Sequence, residues 1–133
     1  MRLFVDTSVW SLALRRDAPP DHPAVARLSE ALRRGEDIFS TGLVLQELLQ
    51  GFRGPQDGEA IVARFAALPF IEPTRADYIA AAELRNTCRR RGVQAGTIDA
   101  LLARLCIDHG LVMLSTDRDF AGIAEWTPLD LWQ

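Results

Sequence analysis

Leu3-Phe4-Val5-Asp6-Thr7-Ser8, positions 3–8, is the stretch whose reading decides the fold. Three apolar residues followed at once by a carboxylate and two hydroxyls read as a short buried strand that feeds a helix carrying Val9, Trp10, Leu12 and Leu14. The same grammar recurs downstream. After the Pro19-Pro20 break, Val25, Leu28, Ala31 and Leu32 recur at helical spacing and stop at Gly35; Ile38-Phe39 is then a second strand. Thr41 opens a helix with Leu43, Val44, Leu48 and Leu49, and residues 56–68 form another by pattern. Phe70-Ile71 is a weak strand, 75–91 an Ala-rich helix closed by Gly92, and Thr97 opens a helix closed by His109-Gly110. Leu111-Val112-Met113-Leu114 is a continuous apolar run of strand length, followed by a short helix around Phe120 to Ile123 and a last strand around Leu129 to Leu131. Strands that are apolar throughout and alternate with helices predict an α/β fold, a mostly parallel sheet covered on both faces. In such sheets ligands bind beyond the carboxyl ends of the strands, where the winding direction switches.

Composition narrows the chemistry. With 133 residues, 48% of them hydrophobic, the chain reads as a single domain over 1–133 that needs no disulfide or metal staple. All 15 basic residues are Arg, so lysine-dependent chemistry is excluded: a Walker A loop, a Schiff base, a pyridoxal site. Cys88 and Cys106, 18 positions apart with no C-x-x-C, read as buried thiols of a reducing cytoplasm rather than a disulfide or zinc site. Asp6 interrupts the apolar start too early for a signal peptide or membrane span, so a soluble, cytoplasmic protein without membrane attachment is expected. The net charge of −3 weighs against a nucleic-acid partner.

The acidic residues answer that objection. Asp6 ends the first strand, and Asp117 and Asp119 follow the run that ends at Leu114, so all three belong at the crevice. As simple helix-entry residues they would gain about 0.3–1 kcal/mol each from the helix dipole. Glu47 falls at about 100° per residue between Leu43 and Val44, beside Leu48, on an apolar stripe. Asp99 borders the stripe of Ile98, Leu102 and Cys106, behind a Thr97 cap. A carboxylate turned toward a core is costly unless paired, protonated or bound to a cation. Arg53 and Arg104 project from other helical faces. An oxygen-only set without His or Cys suits Mg²⁺ or Mn²⁺, not zinc. Such ions bind phosphate oxygens and activate water, which points to phosphodiester hydrolysis. Setting the five carboxylates aside turns −3 into +2.

Taken in order, Asp6-Thr7-Ser8 after the first strand, Glu47 within Leu-Gln-Glu-Leu, Asp99 within Thr-Ile-Asp-Ala-Leu-Leu, and Thr116-Asp117-Arg118-Asp119-Phe120 resemble a PIN-domain ribonuclease. In size the chain is similar to the VapC toxins of bacterial toxin–antitoxin modules. The resemblance implies a Rossmann-like three-layer α/β/α sandwich and an Mg²⁺- or Mn²⁺-dependent endoribonuclease, homodimeric and inhibited by a small cognate, VapB-like antitoxin. By position, Asp6, Glu47, Asp99 and Asp117 carry over as the catalytic acids, with Asp119 an accessory or alternative fourth. Asp6, Asp99, Asp117 and Asp119 would hold the metal, and Glu47 would bind a second ion or orient the attacking water. Thr7, Ser8 and Thr116 would be hydroxyls that orient the carboxylates.

Other features carry two readings each. Arg89-Arg90-Arg91 closes a helix and either caps its dipole or meets RNA phosphates; Arg118, between the late acids, either meets the substrate or pairs with one of them. Arg15-Arg16 and Arg33-Arg34 are equally ambiguous. Trp10, Leu14 and Phe52 either belong to the core or line a groove for an antitoxin helix. Trp126 and Trp132 are expected to pack the C-terminal strand, and His22 and His109 to be structural. The alternative functions are a haloacid-dehalogenase-type phosphatase, which needs an Asp where Ser8 stands, a receiver domain, which needs a lysine, and a catalytically inactive PIN fold that only binds RNA or protein.

Overall fold

A computed structural model describes residues 1–15 and 21–133. Arg16 and the Pro19-Pro20 break lie outside the described residues. The chain runs β1 (Arg2–Val5), α1 (Thr7–Ala13), α2 (Pro23–Arg34), β2 (Asp37–Phe39), α3 (Gly42–Gly51), α4 (Pro55–Ala66), α5 (Arg75–Arg90), α6 (Thr97–His109), β3 (Val112–Leu114), α7 (Asp119–Trp126) and β4 (Asp130–Leu131).

The strands form one parallel sheet in the order β2-β1-β3-β4, with Leu3 opposite Ile38 on one side and Val5 opposite Leu114 on the other. Leu3, Phe4, Val5, Met113 and Leu114 are fully buried, as expected of strands covered on both faces. Burying a side chain such as Phe4 stabilises the fold by about 1.5–3 kcal/mol. The weak strand at Phe70-Ile71 is reduced to one parallel bridge, Ser40 to Phe70, beyond β2.

Right-handed crossovers then dictate which face each helix covers. From β1 the chain steps to β2 and on to the Phe70 bridge, with α1 to α4 covering one face; it returns to β3 and β4 with α5 to α7 on the other. The helices pack accordingly, α1 against α2 and α3, and α5 against α6 and α7. Winding reverses between β1 and β3, so the crevice opens at the ends of those two strands.

Local sequence sets the helix ends. His22 accepts the Ala24 N–H through Nδ1 ahead of Pro23, and Gly35, at φ 68°, closes α2 in a left-handed turn that strains other residues. Thr74 and Asp77 form a reciprocal capping box on α5. Arg27 forks onto Glu36 at 2.7 and 2.8 Å, tying α2 to the start of β2 and holding the Glu36 carboxyl down at about 2. Cys88 and Cys106 are free and buried, and burial pushes both thiols up. Trp132 packs partly buried against the core, whereas Trp126 is 42% exposed beneath the Arg91 guanidinium, 4.7 Å from its ring centre. Trp126 thus packs on the residue that caps α5. Among the described residues no helix is long and apolar enough to cross a membrane.

Candidate metal centre

Asp6 leaves β1 at the N-cap position of α1, yet its side chain makes no capping bond. Its Oδ2 instead accepts the hydroxyls of Ser8 at 2.8 Å and Ser115 at 2.9 Å. Those hydroxyl oxygens in turn accept the N–H groups of Thr116 and Asp117, each at 3.0 Å. Each hydroxyl therefore accepts from the backbone while its proton goes to Asp6, and the two oxygens lie 3.3 Å apart. Among the described residues no hydrogen bond reaches Oδ1. Asp6 is therefore a buried carboxylate, 7% exposed, with Oδ2 anchored by two hydroxyls.

Asp99 stands in the first turn of α6, whose N-cap is Gly96, so the expected Thr97 cap is not formed. Burial first, then the charges of Asp117, Asp6, Asp119 and Glu47 in that order, push its carboxyl up to about 6. Carboxylate oxygens of Asp99, Asp117 and Asp119 all lie within 4.8 Å of one another. Asp6 and Glu47 stand outside that trio but close enough to act on it electrostatically. Asp117 also does part of what a helix-entry acid does: its Oδ1 accepts the Asp119 N–H at 2.9 Å, ahead of α7.

Glu47 departs from its expected orientation. It does not turn toward the core but is exposed, with the Thr7 hydroxyl donating to its Oε1 at 3.3 Å. Thr116 enters through its backbone N–H, and the hydroxyl role expected of it falls to Ser115, a residue outside the sequence motifs. The signal is the strand register: Val5 lies opposite Leu114, so the next residues, Asp6 and Ser115, face each other. Removing that hydroxyl in Ser115→Ala is expected to weaken Mn²⁺ affinity about 10- to 100-fold, with Ser115→Thr retaining most of it. Calorimetric titration with Mn²⁺ measures this, and unchanged affinity in Ser115→Ala would remove Ser115 from the site.

Trp10 is core, 1% exposed and 4.9 Å from the Phe65 ring, while Leu14 and Phe52 line a 130 Å³ groove with Ile61 and Arg64. Arg118 is exposed at the N-cap of α7 without an ion pair among the described residues, and Arg90 is exposed on α5. His22 caps α2 through its imidazole Nδ1, and the backbone carbonyl of His109 accepts from Arg2.

The sequence matches the family profile described as PIN domain over residues 3–125. The chain belongs to the PIN-domain family. That assignment leaves no place for the phosphatase or receiver alternatives. Several solved structures share the fold at low identity. VapBC2 from Rickettsia felis, crystallised bound to a DNA fragment from its promoter, superposes with TM-score 0.76 at 19% identity, covering 99% of this chain and 98% of that one. VapBC-1 from nontypeable Haemophilus influenzae gives TM-score 0.75 at 16% identity, covering 100% and 98%. VapC20 of Mycobacterium tuberculosis, a Sarcin-Ricin loop cleaving toxin, gives 0.73 at 19%, covering 96% and 98%. No curated protein matches the sequence significantly.

Proposed function

We propose that this PIN domain is a Mg²⁺- or Mn²⁺-dependent endoribonuclease acting as the toxin of a type II toxin–antitoxin module. The observation that carries this reading is the carboxylate trio of Asp99, Asp117 and Asp119 beside Asp6, whose Oδ1 accepts no hydrogen bond among the described residues. Every donor is an oxygen and the aggregate charge lacks an Arg counter-ion among the described residues, so the set fits a hard divalent cation and fits zinc poorly. Asp6, Asp99, Asp117 and Asp119 would hold the cation, which when bound supplies charge neutralisation for phosphate oxygens and lowers the pKa of water.

The remaining work falls to the chain. Ser8 and Ser115 fix the orientation of Asp6, and Thr7 steadies Glu47, which orients the water that adds to phosphorus. Attack by water rather than by the ribose 2′-hydroxyl breaks the P–O3′ bond, leaving a 5′-phosphate on one fragment and a 3′-hydroxyl on the other. The VapBC relatives are complexes, and this reading extends their partnership here: a homodimer, cytoplasmic, held inactive by a small antitoxin whose helix uses the Leu14-Phe52 groove.

Incubating a mixed RNA pool with the purified protein tests the reading. Cleavage is expected only with Mg²⁺ or Mn²⁺ and is expected to disappear in Asp6→Asn. Metal-independent cleavage, equal activity of the variant, or a 2′,3′-cyclic phosphate product would overturn it. Growth arrest on expression, relieved by a neighbouring small reading frame, separates the toxin role from general RNA processing.

A further inference from the structure

A groove of 510 Å³ runs from the carboxylate cluster between α5, the loop before α6 and the start of α7, lined by Arg85, Arg89, Val93, Gln94, Gly96 and Asp119. We propose that this groove carries the RNA strand flanking the cleaved bond, with Arg85 and Arg89 holding its phosphates. The inference rests on the ribonuclease reading above and names the side of the site from which the substrate leaves it.

Three observations support it. The groove begins at Asp119, a member of the trio within 4.8 Å, so anything lying in it is continuous with the reacting centre. Its two cations are uncommitted: Arg27, Arg34 and Arg104 are each paired with a carboxylate, whereas Arg85 and Arg89 have no such partner among the described residues. Arg85 donates from Nε to the Ala95 carbonyl at 2.7 Å, and Arg89 donates from Nη2 to Asn86 Oδ1 at 2.7 Å. These neutral bonds orient the two guanidinium forks while leaving their charge and most of their donors unspent.

Spacing completes the case. Arg85 and Arg89 stand one helical turn apart, about 6 Å along α5, on the side facing the groove, which lets them grip successive phosphates of an extended strand. A polyanion approaching clustered carboxylates needs compensating charge along its path, and these two residues supply it where the path begins. Of the arginine run considered from sequence, only Arg89 lines the groove; Arg91 is committed to the Trp126 ring.

Binding of a fluorescein-labelled single-stranded RNA is measured by anisotropy in EDTA over a salt series, with cleavage in Mg²⁺ or Mn²⁺ scored separately. Arg85→Gln/Arg89→Gln is expected to lose about tenfold or more in affinity, and to flatten the slope of log affinity against log salt by about 1.4 for two lost phosphate contacts. Arg89→Gln alone gives about half that flattening. It disturbs no backbone bond, so a folding defect from freeing the Ala95 carbonyl does not confound it. Arg33→Gln/Arg34→Gln removes equal charge at the C-terminal end of α2, away from the groove, and is expected to change neither quantity appreciably.

Wild-type affinity and slope in the double groove variant, or equal losses in the α2 control, would overturn the proposal even if wild type cleaves RNA. Groove-dependent binding without any cleavage would uphold the groove and sink the ribonuclease reading. Absence of RNA binding by the wild type would sink both.

Discussion

Asp99→Asn is expected to stabilise the metal-free protein at neutral pH and, in the same molecule, to lower RNA cleavage by about a thousandfold, several kcal/mol of lost transition-state stabilisation. The two effects share one cause. The carboxyl titrates at 3.8 when fully solvated and is pushed up to about 6 in the fold, by burial and then by the four neighbouring acids. Below pH 3.8 both folded and unfolded states carry the proton, and Asp99 costs nothing. As pH rises through 3.8 the unfolded chain releases its proton first, and above about 6 the folded state bears the full penalty of an ionised, crowded carboxylate.

Allowing for partial exposure, that penalty is about 1–2 kcal/mol. Urea unfolding in EDTA should therefore show the Asn variant ahead at about pH 7.5 and level with wild type at about pH 4. A less stable variant at the higher pH would contradict the burial account. Adding Mg²⁺ should narrow the gap, because a cation that binds only the folded wild type stabilises it by mass action.

Phe120→Ala is expected to cost about 3–5 kcal/mol, a large share of the roughly 5–15 kcal/mol that holds a domain together. Phe120 is fully buried in the first turn of α7, directly after Asp119, so it is the anchor that sets where the late acids stand. The urea midpoint should fall with little change in slope, and cleavage should fall further than the folded fraction alone explains. A loss below about 1 kcal/mol would mean that α7 is held by something else.

Most of the sheet, and the position of Asp6, Asp117 and Asp119 past the ends of β1 and β3, are legible from local pattern, because a buried parallel strand announces itself by an unbroken apolar run and its end by the first polar residues. Asp6 after Leu3-Phe4-Val5 is the clearest case. For Glu47 the pattern gives the right angle, between Leu43 and Val44, but not the surroundings: that flank of α3 faces Thr7 across the cleft rather than the core. Ile98 differs for a similar reason. Helical spacing puts it with Leu102 and Cys106, but it is 41% exposed and lines a 410 Å³ hollow with Leu43 and Tyr78. Periodicity gives a direction around a helix axis, not what covers that direction. Ser115 is invisible to local pattern because its partner is 109 positions away, brought to it only by the pairing of β1 with β3.

The reversal of winding between β1 and β3 also governs when, during synthesis, the acids become complete. Glu47 arrives on the helical layer built first, Asp99 on the layer built second, and Asp117 and Asp119 only after β3 has been inserted beside β1. Since β3 pairs directly with β1, the central seam of the sheet stays open until most of the 133 residues have been made. A chain that lacks this seam has no assembled acid cluster, so under the proposed function the site does not exist before β3 has docked beside β1.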